Sequence, residues 1–366
     1  VLEEYTAGPT QAYRLNETAR SILLQAPTPA QLLSLCEEYR VRLDSPEAGF
    51  YFNELVENSQ QLSIPPEAAR LGFVARDRAE AAELLELSTN LLRANLEEAA
   101  WEHPQGIFYR RQALSGKVVA LFSGQGAQYL EMGRALAINF PPLRAAFSAL
   151  DQLFQAENQP LLSEVVFPPP TFEDSKKAGQ KAMLQRTDYA QPAIGAVSSG
   201  LYRLLFEAGF RPDFVAGHSF GELSALLAAG VLSEPAYFRL VKARGKAMAA
   251  PSNDPTFDPG GMVAVSGTPD ELAEILAEFP DITLANHNSL NQVVLAGAKP
   301  AVARLKTALK ERRFSVIDLP VAAAFHTSLV GHAQQPFEQA LQAEEFQSPQ
   351  IPVFSNSTAQ PYPADP

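Results

Sequence analysis

The sequence predicts an α/β protein in which a parallel sheet organises the larger subdomain and a smaller α/β unit is inserted into it. Three observations predict this. Two continuous apolar runs, Val118-Val119-Ala120-Leu121-Phe122 and Phe214-Val215-Ala216, each end in a Gly-rich segment. A strand buried on both faces of a helix-covered parallel sheet reads this way. Between Gly261 and Val321 the apolar period switches between two and 3.6 in the order strand, helix, strand, strand, helix, strand. Finally, 366 residues exceed a usual domain of roughly 150, so the chain divides into two or three domains, each with its own core.

Residues 1 to about 115 differ from the rest in being charged, Leu- and Ala-rich and helical in period. Pro27-Thr28-Pro29-Ala30 opens a helix running through Glu38, and Ala69 to Ala75 is a short strand. Asp77 can cap the helix predicted over Ala79 to Ala99, with leucines at 84, 85, 87, 91 and 92, and Ile107-Phe108-Tyr109 reads as a strand. This small α/β module contains no polar cluster that suggests chemistry. The larger subdomain is expected over 116–260 and again over 322–366. Pro168 to Pro170 and Pro251 to Gly261 are loops by composition. In the inserted unit, 261–321, Met262 to Ser266 is a strand, Pro269 to Phe279 a helix, and Ile282 to Asn286 and Gln292 to Ala296 are strands. Ala301 to Arg312 is then a helix and Phe314 to Pro320 a strand. That βαββαβ order is the ferredoxin-like split unit.

Composition narrows the function. A net charge of −12 lacks the surplus of Lys and Arg that non-specific nucleic-acid or anionic-membrane binding needs. The apolar stretch Leu223 to Leu232, flanked by Glu222 and Glu234, is far shorter than the roughly 20 residues of a membrane span. Cys36 is the only cysteine, so no internal disulfide points to an oxidising compartment, and a cytoplasmic location is expected. The start at Val1, with neither Met nor a basic leader before an apolar core, reads as a piece of a longer chain.

Gly217-His218-Ser219-Phe220-Gly221 fits G-x-S-x-G between a strand and a helix, the α/β-hydrolase-like turn that exposes a nucleophilic Ser. The helix N-terminus favours developing negative charge at the hydroxyl. The alternative is a Gly-rich turn with a capping Ser. A nucleophilic Ser needs a base, and the chain has five His. His103 lies in the N-terminal module, His218 is in the turn with its side chain expected on the wrong side, His287 is in the inserted unit, and His332 reads as a surface or packing residue. His326 follows the last strand of the inserted unit, where the chain returns to the larger subdomain, and is therefore expected at the cleft; the alternative is a satisfied buried His.

Five motifs occur in order: Ser123-Gly124-Gln125-Gly126-Ala127-Gln128; Gly217 to Glu222; Ala243-Arg244-Gly245-Lys246 with Met248; Asn286 to Gly297; and Ala324-Phe325-His326. Together they resemble the signature of malonyl-CoA:acyl carrier protein acyltransferases. Val1 to Glu4 looks like the end of a ketosynthase domain, and residues 5 to about 115 look like a ketosynthase-to-acyltransferase linker. Val166 to Pro170, Ala190 to Ala193 and Gly217 to Leu223 look most like iterative polyunsaturated-fatty-acid synthases, with enediyne-type polyketide synthases close.

The resemblance implies roles. Ser219 would attack a thioester while His326 takes its proton, and the backbone N–H groups of Phe220 and Gln125 would hold the oxyanion. The thiol of a phosphopantetheine on an acyl carrier protein would then collect the malonyl group, with no permanently bound cofactor and no metal. The His would be oriented by a backbone carbonyl near Ser355-Asn356. Arg244, on its residues alone a helix-surface charge, would bind the malonate carboxylate through its planar fork. Gln191, Met248 and Asn288 would line the acyl pocket, and Phe325 would disfavour a 2-methyl group. Relatives continue past Val353 to Asn356 with further helices and a strand, so the end of the larger subdomain is expected beyond Pro366. Two rival readings are a thioesterase-like α/β hydrolase and a catalytically silent docking scaffold. A basic cluster at Arg304, Lys306, Lys310, Arg312 and Arg313 is the first candidate surface for the carrier protein, with Lys176, Lys177, Lys181 and Arg186 next.

Overall fold

The computed structural model describes residues 19–61, 63–249, 257–319 and 321–363. The expectations for Val1 to Glu4, for Pro251 to Thr256 of the predicted loop and for Pro320 lie outside the described residues. The chain divides into two compact units that meet in sequence at Gly116 and Lys117.

In the first unit, β1 (Arg20–Ala26), β2 (Ala69–Ala75), β3 (Ala100–His103) and β4 (Ile107–Arg110) form an antiparallel sheet of order β1-β2-β4-β3. Alternate residues of β1 and β2, among them Ile22, Leu24, Leu71 and Phe73, are buried with residues from α1 (Pro29–Leu43), α2 (Ala48–Gln61) and α3 (Arg78–Ala94). Thr28 and Asp77 cap α1 and α3 through their side chains. The last helix stops at Ala94 and not at Ala99, because the Asn95 side chain takes the Leu91 carbonyl at 2.9 Å and the chain turns into β3. Its Trp101 stacks on Tyr109.

The second unit contains the parallel sheet. Strands β5 (Val119–Phe122) and β6 (Phe214–Gly217) pair in parallel over their whole length. Between them run α4 (Arg134–Asn139), α5 (Pro141–Ala156), α6 (Leu162–Val166), α7 (Asp174–Gln185) and α8 (Thr187–Glu207). After β6 come α9 (Gly221–Ala228) and α10 (Glu234–Ala247), and Phe147, Phe154, Tyr189, Tyr237 and Val241 make a core between α5, α8 and α10. The expectation that the run Val118 to Phe122 is buried on both faces is corrected. Val119 is 50% and Leu121 74% exposed, whereas Phe122 is buried. β5 is an edge strand of a three-stranded sheet, and α9 packs against the Phe122 side.

The inserted subdomain follows the expected order: β7 (Gly261–Ser266), α11 (Pro269–Ala277), β8 (Ile282–Ser289), β9 (Gln292–Gly297), α12 (Lys299–Glu311) and β10 (Val316–Asp318). Its antiparallel sheet has the order β10-β7-β9-β8. Val263, Val265, Val293 and Leu295 face Leu272, Ile275, Val302, Leu305 and Leu309 of the helices. The opposite face, with Met262, Val294 and Ala296, packs on Ala323, Ala324 and Phe325 of the returning chain. That return leads through a 3₁₀ turn (Ser328–Ala333) and α13 (Gln334–Gln342) to β11 (Val353–Phe354), which joins β6 in parallel.

Five cations give the stretch from 301 to 313 a basic face in sequence, but neighbouring acids neutralise most of it. Arg304 pairs with Asp281 at 2.9 Å, Lys306 with Asp318 at 2.6 Å, and Arg312 with Glu278. Among the described residues Lys310 and Arg313 keep no ion pair. The second cluster behaves likewise: Lys176, Lys177 and Arg186 pair with Glu173, Asp174 and Asp188, and among the described residues Lys181 has no ion pair.

Candidate active site

β6 and α9 are joined by a turn too tight for any residue but Gly at its flanks. A Cβ on Gly217 would lie 1.9 Å from the Gly221 carbonyl carbon, and one on Gly221 would lie 2.3 Å from the Phe122 oxygen. Ser219 sits between them at φ 52°, a left-handed conformation that costs on the order of 1–3 kcal/mol and is sustained only where neighbours enforce it. The result is a hydroxyl presented to the cleft between the parallel sheet and the inserted subdomain.

His326 meets it there. Its Nε2 is 2.9 Å from Ser219 Oγ, although the two residues are 107 positions apart. Burial lowers the pKa of this imidazole from its ordinary 6.5, and the charges of Arg244 and His218 lower it further. The ring is therefore neutral at pH 7 and able to accept the hydroxyl proton. Neither Phe220 nor Gln125 uses its backbone N–H in a hydrogen bond among the described residues. Ser219 N–H is bound by Asn356 Oδ1 and Gly221 N–H by the His218 carbonyl, so Phe220 N–H is the donor that the turn leaves free. The Phe220 ring itself is fully buried in the core.

Arg244 comes from α10. Its Nη2 is 3.4 Å from Ser219 Oγ, and its Nη1 is buried with no hydrogen-bond partner. Burial lowers its pKa to about 10, with Glu222 opposing, so it stays cationic at neutral pH. A buried guanidinium N–H without an acceptor is costly, and a ligand carboxylate would relieve that cost.

Two cavities adjoin at Ser219 and His326. The inner one, about 210 Å³, is lined by Gln125, Gln191, Met248, Asn288 and Phe325 together with Met262 and Val294. The outer cleft, about 760 Å³, is lined by Arg244, Glu222, His287 and Asn356. Arg244 borders the larger cleft, and Gln191, Met248 and Phe325 border the smaller cavity; His218, Ser219, Asn286, Asn288 and His326 line both. The inner wall is tied together: Gln191 Nε2 donates to Gln125 Oε1 at 3.2 Å and lies 3.7 Å from Met248 Sδ, while Gln191 Oε1 is buried without a partner. Asn286 and Asn288 reach the cleft because β8 is irregular between Leu284 and Asn286 and between His287 and Ser289.

Two expectations change. His218 does not point away from the site; its Nε2 lies 2.9 Å from Asn288 Oδ1, spanning from the turn to the inserted subdomain. Nor does a carbonyl near Ser355-Asn356 orient His326, whose Nδ1 has no hydrogen bond among the described residues. Asn356 is instead turned to the nucleophile's own backbone, with Oδ1 on Ser219 N–H and Nδ2 on the Gly217 carbonyl, each at 2.7 Å. No local pattern could have revealed that residue, since its partners are 137 and 139 positions away. Among the described residues no group of three His, Cys, Asp or Glu could hold a metal, and no helix is long and apolar enough to cross a membrane.

Residues 119–364 match the acyl transferase domain family. The chain belongs to that family. It is 31% identical over 388 residues to one subunit of the polyunsaturated fatty acid synthase of Thraustochytrium sp., a match covering all of this chain and 14% of that much longer polypeptide. It is 35% identical over 247 residues to the malonyl CoA-acyl carrier protein transacylase of Synechocystis sp., covering 67% of this chain and 76% of that enzyme. Among solved structures it is similar to a malonyl-transacylase in complex with a type II polyketide-synthase acyl-carrier protein, with 30% identity and a TM-score of 0.58. That match covers 68% of this chain and 76% of the other. The acyltransferase therefore spans a small part of the synthase polypeptide and most of the free-standing transacylase.

Proposed function

We propose that this acyltransferase moves a malonyl group from malonyl-CoA, through an ester on Ser219, to the phosphopantetheine thiol of an acyl carrier protein. The observation that carries the reading is the Arg244 guanidinium, cationic and unpartnered at Nη1, 3.4 Å from the hydroxyl that His326 can deprotonate. Ser219 Oγ bonds to the thioester carbonyl carbon as its proton passes to His326 Nε2. Phe220 and Gln125 N–H groups hold the oxyanion, and the C–S bond breaks with the proton returned to the CoA sulfur. The carrier thiol repeats the sequence in reverse roles, its proton passing through His326 back to Ser219 Oγ.

The relatives support the setting: a polyunsaturated fatty acid synthase, a malonyl transacylase and a transacylase bound to an acyl-carrier protein. In this reading a ketosynthase precedes the domain in its parent chain, residues before 116 are the linker, catalysis needs no resident cofactor, and the location is cytoplasmic. Phe325, 6% exposed against Met262 and Val294, makes malonyl preferred over methylmalonyl. The test is transfer to a holo carrier protein from malonyl-, methylmalonyl- and acetyl-CoA in competition. Preferred malonyl transfer supports the reading, and release of free malonate as the main product contradicts it.

A further inference from the structure

We propose that Asn356 is a positioning residue that clamps the nucleophile turn; the inference rests on reading Ser219 as the nucleophile. Two bonds of its carboxamide close on the two ends of one short segment. Oδ1 accepts from Ser219 N–H and Nδ2 donates to the Gly217 carbonyl, both at 2.7 Å. The segment they bracket carries the left-handed Ser219, so the clamp stabilises the φ of 52° on which the 2.9 Å approach of Oγ to His326 depends.

Asn356 is itself held. Its own N–H donates to Glu222 Oε1 at 2.8 Å, and the same oxygen accepts from Tyr362 Oη at 3.2 Å. Glu222 stands in the first turn of α9, directly after the motif. The end of β11 and the start of α9 therefore grip each other through Asn356, and β11 already pairs with β6, the strand that leads into the turn. The clamp also chooses the oxyanion donor: with Ser219 N–H occupied, an incoming carbonyl oxygen is left Phe220 N–H. Asn356 is exposed at the cleft rim and contributes no packed apolar surface, so its removal should act on the turn and not on the core.

The probe is a fluorophosphonate, a serine-directed electrophile whose reaction does not depend on the acyl donor, alongside loading from malonyl-CoA. Asn356→Ala should label Ser219 at least thirtyfold more slowly than the native chain, with an unchanged circular dichroism spectrum. In malonyl loading its maximal rate should fall similarly while KM stays within about threefold. Labelling within twofold of native overturns the inference, and so does a rise in KM with the maximal rate preserved. Asn356→Asp has the same shape and keeps the acceptor for Ser219 N–H but turns a carboxylate on the Gly217 carbonyl; labelling between the alanine variant and native is expected. Should Asn356→Ala lose its native spectrum, Asn356→Asp decides: at least tenfold slower labelling in a folded protein supports the clamp, and less overturns it. If native Ser219 reacts with the fluorophosphonate but not with malonyl-CoA, the functional reading fails while the labelling comparison still judges the clamp. If native Ser219 reacts with neither, both fall.

Discussion

Nη2 of Arg244 lies 3.4 Å from Oγ of Ser219, while Nη1 of the same guanidinium is buried with no partner among the described residues. In the proposed reaction its anion is the free carboxylate of the malonyl group, which an acetyl group lacks. Arg244→Ala should lose malonyl loading by at least a hundredfold and acetyl loading by far less. Arg244→Lys should not restore the native rate, because a point charge lacks the planar fork. Equal losses with both donors would show that Arg244 does not read the carboxylate.

The acid limb of the pH–rate profile for loading reports His326. Neutral imidazole is the active form, so the rate should be level near neutrality and fall as pH drops through a pKa below 6.5. Arg244 contributes to that depression by its positive charge. In Arg244→Ala the limb, measured with acetyl-CoA, should therefore move to higher pH. A native limb at or above 6.5, or no movement in the variant, would contradict this electrostatic account.

Phe325 packs beside Met262 and Val294 in the wall of the inner cavity. Phe325→Ser should raise the ratio of methylmalonyl to malonyl loading by roughly tenfold or more, the scale of discrimination a methyl-sized gap gives. A ratio unchanged by the substitution would place the discriminating contact elsewhere.

The unpaired basic surface of residues 301–313 is smaller than the sequence suggests, since acids already pair with Arg304, Lys306 and Arg312; if an acidic carrier protein docks there, the test is a charge reversal. Exposed pairs of this kind are worth only about 0–1 kcal/mol, so a strongly acidic partner can still compete for them. Reversing Lys310 and Arg313 to Glu should slow transfer to the carrier about threefold or more at low salt, with loading from malonyl-CoA unchanged. An effect that ignores salt, or that touches both half-reactions, would remove this face as the docking site.

What sequence could convey here was set by range. The inserted βαββαβ unit was legible because each element carries its own period, and Ser219, His326 and Arg244 lie in short motifs. β5 misled because an apolar run does not say which strand is the edge; Val119 and Leu121 are exposed there. In the N-terminal unit the α2 helix, with its aromatic start, the strand β1 and the four-residue strand β3 lacked strong local signals. His218 was misjudged because its direction is fixed by Asn288, 70 positions away, and the pairing of the basic helix depends on acids of neighbouring elements.

The most direct measurement is the intact mass of the protein after brief exposure to malonyl-CoA alone. The account predicts one malonyl group per chain, mapped to Ser219, and no adduct in Ser219→Ala. An adduct that survives that substitution, or a native protein that takes up acetyl as readily as malonyl, would contradict it.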